Sequence, residues 1–155
     1  MQKDTLQQLI TLEVNYWHDV DRNWGRTAHT FYCDDGVFVI GDKTMHGPEA
    51  VAEFYRWREG RGERTARHLV SNFRLAGEGT NRAKLECVMC LYAADGSPVL
   101  ESKPAIMMAD VTSECIVNDS GQWRYVLHHL TPIFMGGVAP TLPPNQAQLK
   151  SKHEK

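Results

Sequence analysis

Several things are missing from this 155-residue chain, and each absence removes a class of function. No apolar run approaches the roughly 20 residues needed to span a bilayer. The N-terminal MQKDTLQQL is too polar for a secretory signal, so a cytoplasmic chain is expected. Neither charge sign dominates: 17 Lys and Arg against 19 Asp and Glu leave a formal charge of −2 and a pI near 6.4. That balance argues against a general nucleic-acid or anionic-membrane surface. There is no Gly-rich phosphate loop and no H-E-x-x-H, so nucleotide and metal cofactors have no support and none is expected. Internal repeats and low-complexity blocks are also lacking. What is present is the ordinary globular balance, 42% hydrophobic and 23% charged, which excludes disorder as the main state. The length suits one domain with a real core.

Cysteine is sparse. Cys33, Cys87, Cys90 and Cys115 include one C-x-x-C, but no second such pair completes a zinc site. Cys87 and Cys90 fall in the strand-like KLECVMCLY, where residues three apart point to opposite faces. Buried free thiols are the expectation.

Along the chain, residues 4–22 read as a long amphipathic helix, with Leu6, Ile10, Val14 and Trp17 forming an apolar stripe. A short second helix is expected at about 24–32, then a turn at CDDG (Cys33 to Gly36), a short strand VFVIG and a turn through GDKTMHGP. PEAVAEFYRWREG reads as a third helix, with Pro48 and Glu49 suited to its first turn and Gly60 to its end. Val51, Phe54, Tyr55 and Arg58 define its inner face or edge. Four long strands follow: TARHLVSNFRLAG, RAKLECVMCLYAADG, KPAIMMADVTSECIVNDSG and QWRYVLHHLTPIF. The punctuators GEGTN, DGSP and NDSG between them suit an antiparallel meander. One domain over 1–134 is expected, with 135–155 as a C-terminal arm that frays at its end. Helices first and strands afterwards is an α+β plan: a curved, mixed or antiparallel sheet wrapped around three helices from the N-terminal half. Such a cone encloses a pocket between helices and sheet, a common place for small ligands.

Two polar residues stand where apolar ones belong. Continuing the helical stripe past Trp17 lands on Asp21 and then Trp24, whereas Asp19 points from the opposite face like ordinary solvated surface. A buried carboxylate is costly unless paired. Either Asp21 caps the segment that follows it, or it meets a partner. In the first long strand, alternation puts His68 on the same face as Ala66 and Val70, away from Arg67. A histidine there is commonly just a satisfied core residue. If the helix packs over the sheet, however, Asp21 can accept the Nδ1 proton of His68, fixing the tautomer and leaving Nε2 basic toward the pocket. An imidazole so held is a competent general base.

These residues carry a resemblance. With VDRNW closing the first helix, HGPEAVAEFY opening the third, RHLVSNFRL in the strand and GQWRYVLHHLTPIF at the end, the chain resembles the SnoaL-like branch of the NTF2-like superfamily. That is the cone-shaped α+β fold shared with ketosteroid isomerase and scytalone dehydratase. The likeness runs from about Leu6 to Phe134. HGPEAV and GQWRYV are scaffold signatures; the pairing of VDR with RHLVSN is more specific. Scytalone dehydratase, bile-acid 7α-dehydratase and the hexachlorocyclohexane dehydrochlorinase carry an Asp–His dyad at these two places, which implies Asp21 and His68 here. The catalytic tyrosine of bile-acid dehydratase corresponds to Tyr16, which lies roughly 140° around the helix from Asp21 and so reaches the pocket only from the stripe's edge. The second acid or base of those relatives, on the next strand, has only Glu86 and Cys87 near its place. His128 and His129 on the last strand are further candidates, one of them facing the pocket.

The resemblance implies a cofactor-free lyase or isomerase of the dehydratase kind, acting on a small, mostly apolar cyclic substrate. His68 and Asp21 would form the base, with Tyr16 or a last-strand histidine returning a proton. Trp17, Trp24, Phe54, His128 and His129 are the expected substrate-binding residues. Two other readings share the fold: a non-catalytic small-molecule binding or assembly module, and the small subunit of a ring-hydroxylating dioxygenase. Met, Val and Ile on both faces of the later strands also point to self-association as a dimer or trimer.

Overall fold

The computed structural model describes residues 4–136. Helix α1 (Thr5–Asn23) starts at Asp4, whose carboxylate accepts the Leu6 amide. It ends at Trp24, which adopts the left-handed conformation at φ 59°. The buried stripe of α1 is Leu9, Leu12, Glu13, Tyr16 and Trp17. This differs from the stripe expected from Leu6, Ile10 and Val14: Val14 is 45% exposed. Both sets obey helical spacing, and packing against the sheet selects the one that carries the larger rings.

The expected second helix is a single 3-10 turn, Ala28–Phe31, so among the described residues two α-helices rather than three face the sheet. The physical reason lies in Asp19. Instead of sitting in solvent, its carboxylate accepts from Asn23 Nδ2 (2.9 Å), Thr27 N (3.1 Å) and Thr27 Oγ1 (2.6 Å). The cap that could have fallen to Asp21 is made by Asp19, and it binds the chain into a tight reversal instead of a new helix.

Strand β1 (Tyr32–Ile40) runs through CDDG, where a turn was expected. The segment is instead an irregularity in the pairing with β6, between Tyr32 and Val37. A Cβ on Gly36 would lie 2.7 Å from the Tyr125 carbonyl oxygen, so only glycine lets the backbones approach this closely. Strand β2 (Lys43–His46) forms inside the segment expected to be a turn, and α2 (Gly47–Gly60) follows directly. The long strands are β3 (Arg64–Glu78), β4 (Arg82–Asp95), β5 (Met107–Val117) and β6 (Trp123–Met135). They form the antiparallel meander, and β1 joins β6 in parallel, giving one mixed six-stranded sheet ordered β2-β1-β6-β5-β4-β3. Helix α1 lies over β3, β4 and β6, and α2 over β1 and β2. Among the described residues no helix is long and apolar enough to cross a membrane. The expected C-terminal arm lies almost wholly outside the described residues.

Strand alternation sends the two cysteines of the C-x-x-C to opposite faces and all four thiols are free, as expected. Cys87 is buried in the core, but Cys90, on the other face, is only half-buried because the helices cover one side of the sheet alone. Burial, with the nearby Glu13 carboxylate adding to it, pushes the Cys87 thiol up, which makes it a poor nucleophile.

Candidate functional site

A cavity of about 170 Å³ opens between α1, α2 and the inner sheet face. Trp17, Trp24, Phe54 and Phe38 supply aromatic wall, and Met89 and Leu91 the floor from β4. Asp21, His68, Tyr55, Arg58 and Arg64 are its polar lining. Asp21 is brought there by the last turn of α1 and His68 by the inward alternation of β3. Their contact has two parts: Asp21 Oδ1 lies 2.6 Å from His68 Nδ1, and Oδ2 accepts the His68 backbone N–H at 2.7 Å. Both side chains are nearly buried, at 6% and 10% exposure. The His68 ring stacks on Trp17 with centroids 4.3 Å apart and planes 13° from parallel. Held on one edge by the carboxylate and on one face by the indole, the imidazole has little freedom. Among the described residues no hydrogen bond engages its Nε2.

The other expected site residues are placed differently. Trp17, Trp24 and Phe54 line the cavity, but Tyr16, His128 and His129 do not. His129 turns to the outer sheet face. Tyr16 is fully buried, one layer behind the wall, with its hydroxyl 2.6 Å from that of Tyr55. Tyr55 is the tyrosine that reaches the cavity, and Gly25 makes room for it. A Cβ on Gly25 (φ +67°) would lie 2.6 Å from the Tyr55 ring. On β4, Glu86 sits on the outer side and Cys87 lies inward but outside the cavity lining. The register pairs His68 with Leu91, so the neighbouring strand offers the base no second titratable group.

Behind the cavity lies a cluster that the helical reading missed. Glu13 is completely buried and accepts four hydrogen bonds. Trp17 Nε1 (2.9 Å) and His128 Nε2 (2.8 Å) reach one oxygen, and Tyr125 OH (2.6 Å) and Ser113 Oγ (3.3 Å) the other. A carboxylate has about four lone-pair sites, and these donors fill them. Burial alone would raise the Glu13 carboxyl, but the charge of His128 and the bonds from His128, Tyr125 and Trp17 outweigh it, holding the group below its ordinary value. Tyr125 and His128 both face inward although three residues apart, because β6 carries a bulge there: Glu114 pairs with Leu127 and Cys115 with Tyr125, leaving Val126 extra. The ring of His128 stacks on Tyr125 at 4.1 Å. Its Nδ1 continues the network to Tyr32 OH (3.0 Å), then Tyr16 OH (3.0 Å), then Tyr55 OH (2.6 Å) at the cavity.

This tyrosine cluster has a consequence for alkaline stability. Burial is the first cause pushing Tyr16, Tyr32, Tyr55 and Tyr125 well above the ordinary phenol value of 10.0. Folded, they keep their protons; unfolded, they lose them near pH 10. Above that pH the unfolded chain binds fewer protons, so stability falls as pH rises. Four such groups give a slope of up to roughly 5 kcal/mol per pH unit. Circular dichroism should therefore show a steep cooperative loss of structure above pH 10, with most phenolate absorbance appearing in the same step. Phenolate absorbance from all the tyrosines while the fold persists would contradict the geometry.

The family model described as SnoaL-like domain matches residues 6–127. No curated protein sequence matches the chain. Solved structures with the same fold include a candidate scytalone dehydratase from Novosphingobium aromaticivorans, at 14% identity and TM-score 0.74, covering 88% of this chain and 89% of that one. Another is the beta subunit of a candidate aromatic-ring-hydroxylating dioxygenase from the same organism, at 12% identity and TM-score 0.73, covering 90% and 96%. A Catenulispora acidiphila protein solved in complex with S-DNPA is similar at 12% identity and TM-score 0.68, covering 81% and 91%. At such identities these neighbours share the fold alone. The family match takes in both helices and most of the sheet, including Asp21 and His68, and the chain therefore belongs to the SnoaL-like domain family.

Proposed function

We propose that this protein is a lyase or isomerase of the dehydratase type, in which Asp21 and His68 act as a general base on a small cyclic substrate. The observation that supports this most is the two-point contact between Asp21 and His68 at the wall of a largely apolar cavity. With Nδ1–H donated to Asp21, the lone pair on Nε2 is free to take a proton from carbon beside a carbonyl. The electron pair left on carbon enters the enolate. In an elimination it then expels a β-hydroxyl, which leaves as water once protonated. Tyr55 is the donor we assign to that step, in place of Tyr16, which stands behind it. Burial holds the Tyr55 phenol above its usual range, so it is a weak acid, and it gives up its proton only as the C–O bond breaks and the leaving oxygen becomes strongly basic. Tyr55 regains a proton from solvent as the product leaves, and His68 gives its own to solvent, so no net proton is gained or lost and the cycle closes. In an isomerisation the same imidazole returns its proton to another carbon.

The cavity volume sets the substrate's size. An apolar cavity of about 150 Å³ holds benzene, so one ring, with small substituents, fits here. The test uses cyclic β-hydroxyketones in D2O. Deuterium should enter the carbon beside the carbonyl, and water should be lost, faster with protein than without. Binding with no exchange and no elimination would favour the binding-module reading.

We also infer self-association as a dimer or trimer. Leu69, Tyr92, Met108 and Ile133 are all exposed on or beside the outer sheet face, with Phe134 and Met135 67% and 61% exposed at its end. Light scattering at micromolar concentration should return two or three times the 17.6 kDa chain mass; a monomer would remove the proposal.

A further inference from the structure

The polar lining of the cavity includes two cations that, among the described residues, no carboxylate meets in an ion pair. Arg58 comes from the last turn of α2 and Arg64 from the first residue of β3, and both side chains line the cavity. Both are partly buried. Two carboxylates adjacent to them in the chain are engaged elsewhere: Glu59 pairs with Arg26, and Glu63 accepts from Ser97. Asp21, the one carboxylate in the cavity lining, has both oxygens on His68. Arg61 is no competitor, since it lies over the Trp57 ring at 5.2 Å. Asp95 stands opposite Arg64 in the β3–β4 ladder and attracts both guanidinium groups. Yet among the described residues no carboxylate oxygen comes within 4.0 Å of either one. Their neighbours on α2 show the contrast, since Arg56 has Glu49 at 2.9 Å.

A guanidinium taken partly out of water without a partner is unfavourable, and a ligand anion would relieve it. A last-turn arginine such as Arg58 complements the helix dipole in any case, but Arg64 begins a strand and has no such role. Burial, then repulsion from Arg58, pushes Arg64 down to about 10. It remains charged at neutral pH, in a place that disfavours its charge.

We propose that Arg58 and Arg64 form an anion subsite in the cavity wall, and that the ring compound taken there carries a carboxylate. The planar fork of arginine matches a carboxylate with two parallel hydrogen bonds. One ring with one carboxyl group also suits the cavity's volume. This deepens the reading of the cavity as a cyclic-substrate site, and it places the substrate's charged end at Arg58 and Arg64 and leaves its reacting carbon to His68.

Calorimetric titration with benzoate and with its neutral isostere benzamide separates the subsite from the catalytic reading. Benzoate should bind at least tenfold more tightly, with the difference shrinking as salt is raised. R58Q and R64Q should each lose most of that preference while benzamide binding persists, which also reports that the variant is folded. R64K keeps the charge without the fork and should fall between. H68A should keep the benzoate preference even where turnover is lost. Equal binding of the two probes, no binding of either, or an unchanged preference in R64Q would overturn the subsite. A preference lost in H68A would place the anion at the imidazole and also overturn it. None of these outcomes depends on whether the protein turns over any substrate.

Discussion

Replacing His68 by alanine should lower turnover of a cyclic β-hydroxyketone by about 10²–10⁴-fold, the usual loss for a general base, while leaving a cooperative fold. Asp21→Asn is the sharper variant, because the geometry dictates which way its amide must turn. The His68 backbone N–H, 2.7 Å from Oδ2, can only donate, so the amide oxygen must stay on that side. The amide NH2 then meets His68 Nδ1, which lies 2.6 Å from the other carboxylate oxygen. Nδ1 has to become an acceptor, the ring proton moves to Nε2, and the lone pair facing the cavity is gone. Asp21→Asn should thus approach His68→Ala in rate although it changes almost no volume. The double variant should cost little beyond His68→Ala, since the two residues act as one unit. If the pair is only structural, the pattern reverses. Melting would fall by roughly 1–3 kcal/mol while deuterium exchange into the substrate continued at the wild-type rate.

Glu13→Ala should produce the largest loss of stability of any single change in the cluster. It strands the donors of Trp17, Ser113, Tyr125 and His128, all beyond the reach of water or nearly so. Removing one partner of a buried charge pair costs about 3–5 kcal/mol, a large share of the roughly 5–15 kcal/mol that holds a domain together. For a chain of this size that corresponds to a melting temperature lower by about 6–20 °C. Glu13→Gln keeps the volume but turns an NH2 toward donors on one side, so it should recover only part of the loss. The pH dependence carries a definite sign. The folded Glu13 carboxyl lies below its ordinary 4.5. Its contribution is therefore complete above about pH 4.5 and is lost as pH falls through the lower folded value. Wild type should destabilise through that acid window more steeply than Glu13→Gln. Melting of Glu13→Ala within about 0.5 kcal/mol of wild type, the range of ordinary surface changes, would sink the account.

Asp21 and His68 were legible in the sequence because each is a polar residue breaking an otherwise apolar period, and period is what sequence states most directly. Glu13 breaks a period too, in LITLEVNYW, but only if the stripe is phased on Leu9, Leu12 and Tyr16. Phased on Leu6, Ile10 and Val14, it becomes an ordinary surface glutamate. Two phases one residue apart fit the same helix, and only the sheet beneath decides between them. His128 was hidden by a different cause. The bulge at Val126 changes the parity of β6, so counting from Tyr125 or from Leu130 gives opposite answers, and nothing local marks the extra residue. That Asp19 makes the cap, one of the two duties open to Asp21, was hidden for a third reason. Capping depends on where the chain goes after Trp24, which is set by the left-handed turn at Trp24 and Gly25. Most of the strand plan was legible from its turn residues. The parallel pairing of β1 with β6 was not, since it joins distant segments of chain.

The second bond of Asp21 has a meaning apart from catalysis. Strand β3 ends the sheet, and the unpaired amides of such a border invite a stranger's backbone to add itself and begin a fibril. At His68 that invitation is withdrawn, because the outward N–H is already taken by a carboxylate reaching down from α1. One side chain thus both aims a histidine and closes one docking point on that border. Losing the carboxylate altogether would reopen one docking point on the border, whereas an amide in its place could still cover it.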